Sequence, residues 1–252
     1  MIFYPVFSAY LRKPFFKRMS IKTTLILLLG LILSLPSLSA QNRKDEQGRR
    51  QGPWKKFHEG TNIVRYTGEF KDDVPIGTFK YFYRNGKLFS ENVYRGQTGS
   101  CYSIQFAGNG KRLAEGVLRH QKKDSVWTYY DRNQNIISKE VFKDGELHGE
   151  RVTFFANGST LEKMNFENGL RQGKFIEYHE NGKVYMRGEY LDDKLHGDLR
   201  IYLANGNKRA EGKYVEGEKH DKWIWFNDNG RPERIEEYRY GQLMKEREIV
   251  ED

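Results

Sequence analysis

The stretch "HENGKVYMRGEYLDDKLHG", residues 179–197, contains two short polar-aromatic runs joined by Asn181-Gly182, and nearly the same phrase recurs as "LANGNKRAEGKYVEGEKHD" at residues 203–221. Asn-Gly between two runs of strand-forming residues is the strongest short-range signal for a β-hairpin. A phrase repeated at a fixed period is typical of repeat proteins, in which each unit packs mainly against its neighbours. The sequence therefore predicts an array of hairpins.

The period of the array is 24 residues, and it is kept without a slip. The turn asparagines are Asn85, Asn109, Asn133, Asn157, Asn181, Asn205 and Asn229. Glycine follows each asparagine except Asn133, which precedes Gln134. We expect a type I′ turn at each pair, with positive φ at both residues. The fold predicted for residues 52–244 is all-β: about eight 24-residue antiparallel β-hairpins forming an elongated, twisted ribbon or solenoid.

Apolar rings recur at two positions of the repeat, counted with Gly77 as the first residue of a unit. The sixth position holds Phe57, Phe82, Phe106, Tyr130, Phe154, Tyr178, Tyr202 and Phe226. The eighteenth position holds Tyr94, Leu118, Phe142, Phe166, Tyr190, Tyr214 and Tyr238, with Phe70 one residue late in a first unit that begins at Gly52. We expect these side chains to stack along the ribbon and bury one another.

A third apolar position is the thirteenth, where Phe89, Leu113, Ile137, Leu161 and Tyr185 stand. It lies five residues before the eighteenth, so strict alternation would place the two on opposite faces of the sheet. Glycines between them could host a β-bulge that shifts the phase by one residue. These glycines are Gly68, Gly116, Gly188 and Gly212. We predict this bulge; without it, rings must appear on both faces.

The N-terminal segment has the pattern of a secretory signal peptide. Lys22 precedes an apolar run over residues 25–35, and "SLSA" ends in Ala40, the expected cleavage site. The run is shorter than the ~20 residues that span a membrane. The predicted organisation is a signal peptide over residues 1–40 with Met1 or Met19 as its start, a polar linker over 41–51, the repeats, and a charged tail over 245–252. The protein is expected in the periplasm, the cell envelope or the extracellular space.

Charge and cysteine content exclude two classes of protein. The net charge is +9, residues 1–40 contribute five basic and no acidic side chains, and the remaining chain therefore carries 9 − 5 = +4. Acidic residues are interleaved with the basic ones, which argues against a nucleic-acid-binding face. Cys101 is the single cysteine, so a disulfide framework is excluded and a packed structural cysteine is expected.

No motif indicates catalysis, a metal or a cofactor, and we expect a protein that is not an enzyme. His148, His196 and His220 share one repeat position, but successive repeats lie ~10 Å apart, too far for shared ligation of one ion. A turn-capping or solvated role is therefore the better interpretation. Asp pairs in "FKDD" and "LDDK" fit inter-repeat turns, where the carboxylate bonds to backbone. The sequence Asn157-Gly158-Ser159 is interpreted as a turn rather than a glycosylation site.

The phrase "NGxxxxxGxYxxGxxHG", as in residues 181–197, resembles the MORN-variant repeat, and the array over residues 52–244 is similar to exported proteins labelled YwqK-like antitoxins. The resemblance implies an interaction or membrane-association surface without catalytic residues, and the antitoxin label implies a partner protein. The third and fourth units depart from the pattern at Ser103, Gln105 and Gln134. These units are where we expect an individual feature.

Two functional hypotheses are consistent with this pattern. The first is an exported scaffold that binds an unidentified protein partner. The second is a module for glycan or lipid headgroups, in which exposed rings such as Trp127, Trp223 and Trp225 stack sugars beside Lys or Arg. Ring exposure separates them, because buried rings favour the scaffold and a solvent-facing aromatic row favours the module.

Overall fold

The computed structural model of the chain describes residues 41–250, which form strands and turns without a helix. The predicted signal peptide lies outside these residues. Within them, no helix is long and apolar enough to cross a membrane. The strands are β1 (Arg43–Lys44), β2 (Arg50–Phe57), β3 (Val64–Lys71), β4 (Val74–Phe82), β5 (Leu88–Tyr94), β6 (Ser100–Phe106), β7 (Arg112–Arg119), β8 (Lys122–Tyr130), β9 (Ile136–Lys143), β10 (Glu146–Phe154), β11 (Thr160–Glu167), β12 (Leu170–Tyr178), β13 (Val184–Leu191), β14 (Lys194–Tyr202), β15 (Lys208–Val215), β16 (Glu218–Phe226), β17 (Pro232–Arg239) and β18 (Gln242–Glu248).

Each strand pairs antiparallel with the next strand along the chain, from β1 to β18. The described strands therefore form one open sheet that follows chain order. Each repeat contributes an even-numbered strand, a turn and an odd-numbered strand, and from β4 onward the turn contains Asn-Gly in every unit except β8–β9, which has Asn133-Gln134. The predicted all-β hairpin-repeat fold is confirmed.

The Asn-Gly turns differ in type from the prediction. The N–H of Gly86 donates to the carbonyl of Tyr83 at 2.9 Å, and the N–H of Lys87 donates to Oδ1 of Asn85 at 3.1 Å. Gly86 has φ +79°, whereas Asn85 lies outside the left-handed region. This is a type I turn followed by a left-handed glycine, and the type I′ prediction was wrong. Asparagine is favoured because its side chain caps the N–H two residues ahead.

Type I′ geometry occurs instead in the turns between repeats. Asp72 and Asp73 have φ of +53° and +67°, and together they join β3 to β4. The same pair of left-handed residues recurs at 120–121, 144–145, 168–169, 192–193, 216–217 and 240–241. Asp193 Oδ1 accepts the backbone N–H of Arg171 at 2.9 Å, and the N–H of Asp193 donates to the carbonyl of Arg171 at 3.1 Å. The predicted placement of these aspartates in inter-repeat turns is confirmed.

A one-residue β-bulge occurs at the thirteenth position of the repeat. Tyr81 is opposite Ser90 and Phe82 is opposite Leu88, so Phe89 has no cross-strand partner. The same omission occurs at Leu113, Ile137, Leu161 and Tyr185. These five side chains are exposed by 37–44%.

A second irregularity lies at the predicted glycines, but the extra residues are on the other strand. Gly116 is opposite Trp127 and Val117 is opposite Asp124, which leaves Ser125 and Val126 as additional residues on β8. Equivalent shifts occur opposite Gly68, Gly188 and Gly212. The odd-numbered strands keep their alternation, as the burial pattern of β13 shows. The predicted change of phase is therefore wrong, and apolar side chains lie on both faces.

The core is a column of side chains at the third position of the repeat, which sequence reasoning did not single out. We call it the ring column: Phe79, Trp127, Phe175, Leu199 and Trp223, each at most 4% exposed. The sheet face that carries it is the inner face, and the opposite one is the outer face. The indole Nε1 of Trp127 donates to the carbonyl of Val117 at 2.8 Å, so burial leaves no indole N–H unpaired there.

Glycine permits this packing because a Cβ at the facing position would overlap the ring. A Cβ on Gly116 would lie 2.6 Å from the Trp127 ring, and one on Gly188 would lie 2.8 Å from Cδ1 of Leu199. Eighteenth-position rings then cover the column from the side: Phe175 and Tyr190 have centroids 4.9 Å apart. The eighteenth-position rings are thus packed against the ring column, and not against one another as predicted.

The sixth-position rings lie on the outer face, because they stand three residues after the ring column along an alternating strand. The hydroxyl of Tyr130 donates to Glu115, and the guanidinium of Arg187 lies 5.5 Å from the Tyr202 ring, both contacts being on that face. The expectation that sixth- and eighteenth-position rings bury each other was therefore wrong.

Both ends of the array extend beyond residues 52–244. Arg43 and Lys44 pair with Gln51 and Arg50, so the segment expected to be a linker contains a short strand that covers the edge of β2. At the other end, residues 245–248 of the expected tail belong to β18, whose side chains are all exposed. A short charged strand at each edge discourages pairing with other sheets.

We predict that Gly116→Ala lowers the free energy of unfolding by about 1–3 kcal/mol, because the added methyl group overpacks the ring column. The matched control is Gly108→Ala, where a Cβ would meet open space and φ is not left-handed. Urea denaturation should show a change within about 0.5 kcal/mol for this control. Equal losses in both variants would contradict the close-approach explanation.

Candidate functional site

The outer face carries an exposed apolar surface over strands β5 to β9. We call Val93, Tyr102, Val117, Val126 and Val141 the outer patch. Val93 is opposite Tyr102, which is opposite Val117, and Val126 is opposite Val141. Residues directly opposite each other in a sheet share a face. Tyr102 is 44% exposed and Val126 is 52% exposed, so the patch is open to solvent.

The outer patch continues into the thirteenth-position row at the turn end of the sheet. Leu113 on β7, Ile137 on β9 and Leu161 on β11 belong to that row and are exposed by 37–44%. Such a run of exposed apolar side chains on a monomer is typical of a surface that another molecule covers. Apart from the hydroxyl of Tyr102, the side chains of the outer patch are apolar.

Polar groups at the rim of the patch hold two tyrosines neutral. The Tyr130 hydroxyl donates to Oε1 of Glu115 at 2.5 Å, and Arg112 pairs with Oε2 at 3.2 Å. Burial raises the pKa of Tyr130, and the Glu115 carboxylate raises it further. The pKa of Tyr102 is raised by the same two causes. Both phenols therefore stay protonated to a higher pH than a free tyrosine.

The other half of the outer face, over β12 to β17, is charged. The equivalent repeat positions there hold Lys174, Glu189, Asp198, Lys213, Lys222 and Glu237. Arg200 and Lys208 pair with Glu211 at 3.5 and 2.8 Å. A surface depression of about 800 Å³ in this half is lined by both signs of charge. The mixture provides no concentrated field for an anion.

The histidines singled out in the sequence are not brought together. His148, His196 and His220 are half-buried, and His220 packs edge-on against Tyr240 with centroids 5.3 Å apart. Over residues 41–250, no group of three or more His, Cys, Asp or Glu side chains could hold a metal ion.

The tryptophans proposed as sugar-stacking residues face inward. Trp127 and Trp223 are 0% and 1% exposed, and Trp225 is half-buried. Lys219 Nζ lies 4.5 Å from the Trp223 ring, so the cation covers the ring column. These rings therefore do not form the solvent-facing row that the glycan or lipid hypothesis requires, and their burial agrees with the scaffold hypothesis.

Sequence reasoning missed the outer patch, although a signal was present. The second position of the repeat is Tyr102 and Val126 in units three and four, and the seventeenth is valine in units two to four. Both positions are charged in units six to eight. Comparing the same position between repeats would have separated the two halves. The sequence did not show on which face of the sheet each repeat position lies.

Comparisons with known proteins agree with the repeat geometry. The family described as "MORN repeat variant" matches residues 75–95, 147–168 and 171–192. Each match covers one hairpin, β4–β5, β10–β11 or β12–β13. No curated protein matches the sequence significantly.

Among solved structures, the crystal structure of a porin-like protein from Bacteroides uniformis matches at 11% identity, covering 77% of this chain and 92% of that one. Its TM-score of 0.19 is too low to support an argument about fold or function. The hairpins matched by the family profile have the same turns and bulges as the units between and beyond them. Three hairpins of this chain thus match the MORN repeat variant, and the other units share their geometry.

Proposed function

We propose that the protein is an exported, non-enzymatic repeat scaffold that binds a protein partner in the cell envelope through the outer patch. The observation that carries the proposal is the exposure of Tyr102 and Val126, the two most exposed side chains of the outer patch. Covering such a surface removes apolar area from water, which is the main favourable contribution in protein association. The buried ring column stabilises the sheet without that contact.

The outer patch suits a protein better than a glycan or a lipid headgroup. Four of its five side chains are valine, and valine offers no flat ring for a sugar to stack on. Its neighbouring charges are of both signs and partly paired, as Arg112 is with Glu115. Anionic headgroups are held by clusters of Lys and Arg, which this half of the face lacks. An antitoxin-type inhibitor would use the same kind of protein contact, with one toxin as its partner.

The experiment is capture of the partner by a tagged protein in its own envelope, with a crosslinker placed at Val126. The test variant Tyr102→Asp with Val126→Lys copies Asp198 and Lys222, which occupy the same repeat positions in the charged half. Because the repeat accepts these residues, we expect unfolding to change by less than about 1 kcal/mol while capture is lost. The control is Lys222→Glu, which alters charge outside the patch and should leave capture unchanged.

Two results would contradict the proposal. One is equal capture by wild type and the patch variant. The other is retention of glycan or lipid alone on the wild-type protein. Light scattering of the purified protein tests self-association separately. If the wild-type protein is a dimer and the patch variant is a monomer, the molecule bound by the outer patch is a second copy of this chain and not another protein.

Export is tested independently of binding. We expect the mature protein in the envelope or medium, beginning at Gln41, because the apolar run and "SLSA" meet the requirements of a signal peptidase. Mass spectrometry of the N-terminus and cell fractionation measure this. Leu29→Arg interrupts the apolar run and should hold the uncleaved chain in the cytoplasm. An intact N-terminus on cytoplasmic wild-type protein would refute export.

A further inference from the structure

The ring column is interrupted in the third unit. Ser103 stands where Phe79 and Trp127 stand one repeat earlier and one repeat later, and Asn92 faces it in the place of Gly68 or Gly116. A glycine-ring pair is thus replaced by a pair of polar side chains. Both are buried, Asn92 at 7% and Ser103 at 1% exposed.

The backbone changes at the same point. The first position of the unit is Cys101, whereas the equivalent Gly77 and Ser125 are left-handed. Pairing between β5 and β6 runs without the shift found opposite the column glycines. The straight pairing and the missing ring coincide with a cavity of about 510 Å³ on the inner face. We call this cavity the notch.

Two polar atoms of the residues lining the notch lack partners in the protein. Oδ1 of Asn92 and Oγ of Ser103 are buried and make no hydrogen bond within the protein. Ser90 and Gln105, which are opposite each other in the register, line the same cavity. Buried polar groups are nearly always hydrogen-bonded, so the notch needs a molecule that both donates and accepts.

The notch is lined by aromatic side chains, among them Phe79, Tyr81 and Tyr94, and by one ion pair. In that pair Arg50 contacts Asp73 at 2.7 Å, and the guanidinium lies 3.8 Å from the Phe70 ring. An anionic ligand would therefore find no free cation among the residues lining the notch, and a purely apolar ring would leave Asn92 and Ser103 unpaired.

We propose that the notch binds a neutral pyranose, whose ring occupies the missing place in the ring column and whose hydroxyls pair with Asn92 and Ser103. A sugar hydroxyl donates to the amide oxygen of Asn92. With the hydroxyl of Ser103 it either donates or accepts, because both groups can do both. The C–H face of the ring packs on the aromatic wall. This site is on the inner face, so it is independent of the protein-binding outer patch.

Cys101 provides a readout confined to the notch. It is the only cysteine of the chain, lines the cavity and is 5% exposed. Burial raises the pKa of its thiol, with a partial offset from a hydrogen bond with Tyr94. Thiol modification at pH 8 is therefore slow and requires the notch to be open. An occupant should slow it further.

The experiment measures Cys101 modification and calorimetric binding on the purified protein with glucose, N-acetylglucosamine and their short oligomers. A ligand at ten times its Kd should slow modification about tenfold. Comparing monomers with oligomers distinguishes a free sugar from a glycan chain. Absence of both protection and heat with every neutral saccharide would overturn the proposal, since water alone would then fill the notch. Protection by phenol or a sugar phosphate alone would overturn it as well.

Two variants test the assigned contacts. Asn92→Ala should weaken binding about tenfold, the loss expected for one hydrogen bond. Asn92→Gly with Ser103→Phe rebuilds the Gly68–Phe79 pair of the preceding repeat, and should abolish binding in a protein that melts at the same or a higher temperature. The outer-patch variant Tyr102→Asp with Val126→Lys should bind saccharide normally. Unchanged binding in either notch variant would refute the site, whereas loss of protein capture alone concerns only the outer patch.

Discussion

The contact between a ring of one repeat and the α-carbon of a glycine in the preceding repeat holds the sheet in its register. Trp127 against Gly116 is the clearest case, because any Cβ would overlap the indole. Two additional residues, Ser125 and Val126, accommodate the ring on its own strand. A single sheet has no second layer to cover its rings, so the rings must be buried against backbone and against one another. Because the period is a constant 24 residues, the glycine and the ring stand at the same positions in each repeat that contains them.

Units without this contact show what the repeat tolerates. Glu140 is opposite Arg151 in the register, and the guanidinium of Arg151 pairs with Glu162 at 2.9 Å and lies 4.8 Å from the Phe166 ring. A charged pair there is compensated by further polar and ring contacts. Each of the side chains Arg151, Asn92 and Ser103 nevertheless keeps one buried polar atom that has no partner in the protein. The same backbone thus supports a core, an ion pair or a cavity, and the difference lies in two side chains per unit.

The two faces of the sheet separate stability from recognition. The inner face holds the ring column, covered by eighteenth-position rings and by cations such as Lys219. The outer face varies from apolar around Val126 to charged around Lys222, although both residues occupy the same position of the repeat. Substitutions on the outer face leave the glycine-ring contacts untouched. An array of this kind can therefore vary its surface from unit to unit without losing its fold.

The all-β class, the period and the places of the turns could be predicted from the amino-acid sequence alone, because Asn-Gly and Asp-Asp signals act within a few residues of chain. The sequence also indicated the third unit as exceptional, through Ser103. The turn types, the strand that carries the extra residues and the face on which each position lies were established by the folded sheet. The physical reason is that these depend on register between strands, and a shift of one or two residues reverses or restores the face of everything beyond it. The glycine-ring contact that sets the register joins residues of neighbouring repeats, so no single repeat contains it.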